Sequence, residues 1–302
     1  MLSLSTSWNS SKHTSGVTMI NEIKSLGFDS VELNFALTAA MVDDVLALKE
    51  AGVIRVSSLH NMCPLPAEIE PRKASPDYYS LASNDDKERS SAVAAAMATI
   101  DCAARLAAKA VVIHSGKVDI KDRIRELAAL VNDNKDFVDM RERMFAERSA
   151  AREIHLANAV KSMRELVPYA KKAGIKLGLE NRYYYREIPV MDEFEMIFGQ
   201  FPPDELFYWH DVGHAEVFDR LGICHHKTLL DKFAGRLLGV HLHDIIGPIN
   251  DHRPPGRGTF DFNVVRPYLK PETIMVLEVH QPASADDIRE SVIYLRGIFD
   301  NI

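Results

Sequence analysis

The sequence predicts an α/β fold: a (β/α)8 TIM barrel in a single domain, with a charged helical insertion after the fourth strand. Three observations carry this. Roughly eight short apolar runs alternate with helix-patterned stretches, an order that favours parallel strand pairing. Most of those runs are apolar on both faces, as strands become when helices and core cover both sides. No GxGxxG follows the first strand and no GxxxxGK[ST] occurs, so an open nucleotide-binding sheet is the weaker reading. At 302 residues and 46% hydrophobic content, one barrel fits better than two smaller units.

The elements follow in order. Leu2–Trp8 alternates apolar and hydroxyl residues and reads as the first strand. Val17–Leu26 has helical spacing and stops at Gly27. Ser30–Asn34 is the second strand, Met41–Ala51 a helix ended by Gly52, and Ile54–His60 the third strand. A Pro-broken loop covers residues 63–79, and Asp85–Ala108 is a long Ala-rich helix. Ala110–Gly116 is a strongly β-branched fourth strand.

Residues 117–149 are highly charged and read as an insertion with helical pieces, solvated faces being the plain explanation and a lid or an oligomer contact the alternative. Ala150–Ala173 is a helix, Lys176–Asn181 the fifth strand, and Met191–Phe198 a short helix. Phe207–Val212 is the sixth strand, Thr228–Ala234 lies in a helix, and Leu237–His243 is the seventh strand. Val264–Leu269 belongs to a short helix, Thr273–Val279 is the eighth strand, and Ala285–Phe299 closes the chain as a helix. The whole of 1–302 is expected to be one domain, with 117–149 as the insertion.

Composition excludes some roles. Lys+Arg number 36 against 43 Asp+Glu, a net charge of −7 that disfavours broad contact with nucleic-acid phosphates. Cys63, Cys102 and Cys224 show no CxxC spacing and read as packed, reduced thiols. No apolar run approaches the roughly 18 residues of a membrane span, and Met1–Trp8 lacks the basic start of a signal peptide. A soluble, cytoplasmic protein is expected, its oligomeric state left open.

The chemistry lies at the strand ends, which is where barrels of this type carry it. Taken in turn, those ends offer His60, His114, Glu180, Asp211 with His214, His241 and Glu278. Burying six such groups without a common partner costs several kcal/mol each, and one cation offsets that for all of them. Singly, His60 and His114 read equally well as core histidines. Glu180 and Glu278 do not, because a carboxylate closing a buried strand is seldom unpaired. His243 and His280 each lie two residues beyond a candidate ligand and share its face, whereas His210 points away from Asp211 and reads as packing. His13, His155, His225 and His226 receive no role. The loop from Asn250 to Phe260, with two prolines and two glycines, adds His252 as a candidate ligand. Arg253 and Arg257 are candidate holders of a phosphate or carboxylate, a plain polar turn being the alternative.

With these residues assembled, the chain resembles the xylose isomerase-like TIM barrel superfamily, which includes sugar-phosphate isomerases, ketose 3-epimerases and the endonuclease IV family. The resemblance runs along nearly the whole chain. Its most specific pieces are Gly178-Leu-Glu-Asn181, Asp211-Val-Gly-His214, Val240-His-Leu-His-Asp244, His252-Arg-Pro-Pro-Gly-Arg-Gly258 and Leu277-Glu278. In the epimerase branch it implies one metal on Glu180, Asp211, His241 and Glu278, with the two Glu residues also acting as acid and base and His214 touching substrate. In the endonuclease branch it implies further zinc ions, with His60 and His114 as additional ligands and a third ion on His214 and His252. That third ion also requires an Asp two residues before the last His. Asn250 stands there instead, with Asp251 adjacent, a departure that counts against the third ion.

The primary expectation is therefore a divalent-metal-dependent (Zn, Mn or Mg, one to three ions) isomerase or epimerase of a sugar, sugar phosphate or polyol. It would work through enediolate-type proton transfer between Glu180 and Glu278, with His214, Arg182, Arg253 and Arg257 as substrate contacts. The alternatives are a multi-zinc phosphoester hydrolase using His60, His114 and Glu180 for a second ion, and a non-catalytic metal-binding barrel.

Overall fold

The computed structural model describes residues 2–299. Its strands are β1 (Leu2–Ser5), β2 (Ser30–Leu33), β3 (Arg55–His60), β4 (Ala110–Ile113), β5 (Lys176–Glu180), β6 (Leu206–Asp211), β7 (Leu237–Leu242), β8 (Asp244–Ile246), β9 (Asn250–Arg253) and β10 (Ile274–Leu277). The helices are α1 (Gly16–Ser25), α2 (Ala39–Glu50), α3 (Asp86–Arg105), α4 (Ile124–Ala129), α5 (Asn134–Ala173), α6 (Met191–Phe198), α7 (Val212–Arg220), α8 (His226–Phe233) and α9 (Ala285–Arg296). Eight strands close into a parallel barrel in the order β1-β2-β3-β4-β5-β6-β7-β10, and β10 pairs back onto β1. β8 and β9 form a separate antiparallel hairpin beyond the barrel mouth.

Side-chain alternation decides what each strand presents. On β6, Trp209 and Asp211 point into the barrel while Tyr208 and His210 lie beneath the helices. Trp209 fills the barrel interior among Ala110, Val112, Leu238, Ile274 and Val276. Two neighbouring strands supply glycine where its ring passes: a Cβ on Gly178 would sit 2.9 Å from Trp209, and one on Gly239 2.4 Å. Above this plug the inward positions turn polar, which makes the floor of the site. The outer layer is one continuous apolar cluster between strands and helices, from Leu4 and Ile20 round to Ile288 and Phe299.

Several boundaries differ from the sequence reading for physical reasons. The first strand ends at Ser5, and Thr6–Trp8 is a 3-10 turn in which Thr6 Oγ1 accepts the Asn34 N–H. In place of a helix over Val264–Leu269 there are two 3-10 turns, Phe262–Val264 and Arg266–Tyr268, the second carrying Pro267 in its first turn. The final helix ends at Arg296. Nothing breaks at Ser149: α5 runs unbroken for 40 residues from Asn134. Part of the charged stretch is core, since Ile124, Leu127, Met144 and Arg148 are buried. Arg148 donates to the Tyr185 carbonyl (2.5 Å), the Glu187 carbonyl (2.9 Å) and Glu193 Oε2 (2.6 Å), so a charged residue there anchors the loop after β5. Neither α7 nor the β8–β9 hairpin was evident in the sequence. Among the described residues, no helix is long and apolar enough to cross a membrane.

Candidate metal centre

The inward residues at the strand C-terminal ends converge. His241 lies at the middle, fully buried, with its two nitrogens in different surroundings. Nδ1 faces Glu180 Oε1 at 2.7 Å, Glu278 Oε2 at 3.0 Å and Asp211 Oδ2 at 3.6 Å. Nε2 lies 3.0 Å from Glu32 Oε1, and the other oxygen of Glu32 accepts from Ser58 Oγ at 2.7 Å. A carboxylate behind one ring nitrogen holds the proton there and leaves the other nitrogen bare towards the acids, which is how histidine ligands are commonly oriented.

Two further groups flank this one. His60 donates Nδ1–H to its neighbouring Asn61 carbonyl (2.8 Å) and turns Nε2 to Glu180 Oε2 at 3.7 Å. His114 Nε2 is 2.5 Å from the same oxygen, and its Nδ1 faces Asp77 Oδ2 at 3.2 Å. On the other side, Asp211 caps α7 by accepting the His214 N–H at 2.7 Å, which places the imidazole beside the β8–β9 hairpin. There Asp251 Oδ2 lies 3.1 Å from His252 Nδ1 and 3.7 Å from His214 Nε2. His252 has a φ of +52°, unusual for a residue with a Cβ, and its ring stacks between His243 and His280 at centroid distances of 4.0 and 3.8 Å.

Donor atoms fall within 4.8 Å of one another in each of three sets: Glu180–Asp211–His241–Glu278, His60–His114–Glu180 and His214–Asp251–His252. These oxygen and imidazole sets, with no thiolate, suit zinc, manganese or magnesium. Charge points the same way. Burial opposes ionisation of Glu180, Asp211 and Glu278, yet facing imidazoles (His241 and His114; His214 and His243; His241 and His252, respectively) hold all three below the usual carboxylate range. Burial likewise opposes charge on His241, and Glu278, Glu32 and Glu180 overcome it and raise its pKa well above the ordinary value. A crowd of buried acids thus demands positive charge at its centre. Asp251 Oδ2 is buried without a hydrogen bond among the described residues. The residues present fit a divalent cation.

The family model for xylose isomerase-like TIM barrels matches residues 20–298. The chain belongs to that family. The uncharacterized protein y4fM of Sinorhizobium fredii is 26% identical over 214 residues, 71% of this chain, and the match spans only 58% of that relative's length. A D-tagatose 3-epimerase-like protein shares the fold with a TM-score of 0.71 at 18% identity, covering 98% of this chain and 96% of that one. The 3-keto-D-glucoside 4-epimerase YcjR of E. coli gives 0.66 at 16% identity and 98% of both chains. The TTHB071 protein of Thermus thermophilus, in crystals soaked with ZnCl2, gives 0.61 at 21% identity, with 98% and 97% covered. At such identities the likeness establishes the fold.

In this xylose isomerase-like barrel, the sequence-derived residues divide cleanly. Glu180, Asp211, His241, Glu278, His60, His114, His214 and His252 come together, and all but Asp211 and His241 line a cavity of about 400 Å3, a common size for a small-molecule site. Arg182 also lines it, though its guanidinium is engaged by Asp77 (2.8 Å), Glu180 (3.2 Å) and Glu187 (3.3 Å) and so acts as a buried counter-ion. Arg253 and Arg257 are corrections, since neither lines the cavity. The hairpin turns Arg253 back onto Asn250 Oδ1 (2.6 Å), and Arg257 pairs with Glu290 and Asp287 of α9. His210 is more than packing, because both its nitrogens are hydrogen-bonded. His243, placed by its spacing beside His241, bonds instead to both Asp211 oxygens (2.9 and 3.0 Å).

Sequence reasoning missed Glu32, Asp77, Glu187, Arg125 and Tyr183. Only Glu32 carried a signal, an acid inside the strand pattern Ser30–Asn34. The doubt raised by Asn250 about the third donor set is met by its neighbour, Asp251, which the hairpin register turns inward.

Proposed function

We propose that this protein is a divalent-metal-dependent isomerase or epimerase acting on a small carbohydrate. The observation that carries the reading is the pairing of Glu180 and Glu278 in one donor group with Asp211 and His241, at the floor of an enclosed cavity. Moving a proton at a carbon beside a carbonyl needs one carboxylate to take it and another to return it. Glu180 arrives from β5 and Glu278 from just beyond β10, with β6 and β7 between them. Both are held ionised and ready to accept a proton by the imidazoles they face. A divalent ion held by Glu180, Asp211, His241 and Glu278 supplies Lewis-acid polarisation of the substrate carbonyl and of an adjacent hydroxyl.

The remaining wall suits a polyhydroxylated ligand. Phe35 and Tyr183 offer flat apolar faces, while His214 and Arg125 offer donors at the rim. Tyr183 keeps its phenolic proton, since burial and the nearby Asp251 push its pKa up. The epimerase names among the structural neighbours support this substrate class.

Turnover should be measured across ketoses and aldoses, phosphorylated and free, with Glu278→Gln alongside. Loss of at least a hundredfold in kcat is expected, the scale of a lost general base. A variant as fast as the parent removes Glu278 from proton transfer.

A second reading, a multi-zinc phosphoester hydrolase, is favoured by two specific groupings, His60–His114–Glu180 and His214–Asp251–His252. Two ions about 3.5–4 Å apart would make a phosphoester site. Elemental analysis separates the readings: one ion per chain supports isomerisation, and two or three zinc ions with phosphodiester cleavage support hydrolysis.

A further inference from the structure

Behind the centre, a line of buried hydrogen bonds runs from the β5 rim to the outside of the barrel. It starts at Asn181, whose Nδ2 donates to the Asp211 carbonyl (2.8 Å) and whose Oδ1 accepts the Asp211 N–H (2.8 Å). The Asn181 carbonyl lies 3.0 Å from His214 Nδ1. Tyr208 Oη is 3.1 Å from Asn181 Oδ1 and 2.7 Å from His210 Nδ1. His210 Nε2 is 2.9 Å from His226 Nε2, and His226 Nδ1 is 3.2 Å from Glu216 Oε2. Tyr208, His210 and His226 are all buried.

Donor directions follow from the inner end. The peptide groups of Asp211 set the Asn181 amide, because exchanging its O and N would oppose N–H to N–H and O to O. Asn181 Oδ1 can therefore only accept, and Tyr208 must donate to it. A hydroxyl has one proton, so Tyr208 accepts from His210 Nδ1–H. Burial, with His226 adding to it, keeps His210 neutral, leaving it one proton and a bare Nε2. That nitrogen needs a donor, which is His226 Nε2–H. The Glu216 carboxylate needs another, which is His226 Nδ1–H. The chain is complete only when His226 carries two protons and Glu216 is its counter-ion.

Resting on the metal-centre reading above, we propose that Tyr208, His210 and His226 are positioning residues. A proton held at the His226–Glu216 pair sets the donor direction of a chain that keeps Asn181, and through it Asp211 and His214, in place. The groups facing His226 are His210 on β6, Glu216, Asp219 and Arg220 on α7, its neighbour His225, and the ring of Phe260. Asp219 Oδ2 accepts the His226 backbone N–H at 3.0 Å, Arg220 Nε donates to Glu216 at 2.9 Å, and Phe260 stacks on the imidazole at 4.9 Å.

Long-range ¹⁵N NMR of histidine-labelled full-length protein near pH 6.5 reads the proton positions directly. The expected result is His210 protonated at Nδ1 alone and His226 at both nitrogens. His210 protonated at Nε2, or a neutral His226, overturns the proposal. Zinc titration at fixed pH provides an independent readout. Tyr208→Phe and His226→Leu should each weaken binding about tenfold, the scale seen when partners of ligands are removed. His226→Gln, whose amide still donates to His210, should stay within about threefold of the parent, on the same scale. Unchanged affinity in Tyr208→Phe and His226→Leu, or equal losses in His226→Gln and His226→Leu, also overturns it. If the parent binds no zinc while the proton positions are as expected, the metal-centre reading falls and the hydrogen-bond chain stands.

Discussion

Replacing Glu32 by Leu tests the orientation of His241 at its root. Glu32 is fully buried, and its Oε1 is the acceptor for His241 Nε2 at 3.0 Å. Binding a cation through Nδ1 requires the proton to sit on Nε2, so without Glu32 the metal-bound state contains a buried N–H with no acceptor. A hydrogen bond to a charged group is worth about 1.5–3 kcal/mol. At about 1.4 kcal/mol per factor of ten, that is roughly a 10- to 150-fold loss of affinity. Glu32→Gln can still accept through its amide oxygen while donating to Ser58, and loses only the charge assistance, about 1 kcal/mol or roughly fivefold. The metal-free protein should respond much less, because deleting Glu32 removes a hydrogen bond but also one of four buried carboxylates crowded around a single imidazole. Zinc affinity by competition with a chromophoric chelator, for parent, Gln and Leu proteins at one pH, gives the ratios, and urea unfolding in EDTA gives the metal-free comparison. A Leu variant that is folded yet binds zinc within twofold of the parent would refute the reasoning.

Three further outcomes are expected. Burial disfavours charge on His252, but Asp251, Glu278 and Asp211 raise its pKa to about 9, above its unfolded value of about 6.5. It therefore contributes about 3 kcal/mol to the metal-free fold below pH 6.5, lost as pH rises through 9. Zinc must displace the same proton, so affinity should climb across that window. Comparison with His252→Asn, by urea unfolding in EDTA and by zinc titration, checks both signs. Asp244 accepts backbone N–H groups from Ile245 (2.8 Å), Gly256 (3.0 Å), Gly258 (2.9 Å) and Phe260 (3.0 Å), so Asp244→Asn should cost about 2–4 kcal/mol, because an amide nitrogen cannot accept, and a drop in urea midpoint reads it. Arg148→Met strands the buried Glu193 and should cost about 3–5 kcal/mol; simultaneous Glu193→Gln should recover part of that midpoint loss.

Much of the centre was legible because a strand alternates with a period of two. An acid or imidazole that closes an apolar run is placed at the barrel mouth, and Glu180, Asp211, His241 and Glu278 each stand at such a point. Glu32 escaped notice because it sits inside a short run, and its significance depends on His241, 209 residues away in the chain. Asp77 and Arg125 lie in segments without periodicity, so no local pattern marks them as cavity walls. Arg253 and Arg257 looked like substrate contacts because their loop is irregular. Their actual partners depend on a hairpin and on α9, which pair them away from the cavity.

By itself, then, the order of residues determined the architecture, from strand and helix periodicity, and which end of the barrel would be charged, from the chemistry of the strand termini. Tertiary structure alone decided which nitrogen of each imidazole faces the acids, which oxygens share one space, and that a run as charged as Asn134–Ala173 becomes a single helix with Arg148 in the core. The physical reason is range. Periodicity is set by neighbours a few residues apart, whereas a proton's position or a guanidinium's burial is set by whichever groups the closed barrel brings within about 3 Å.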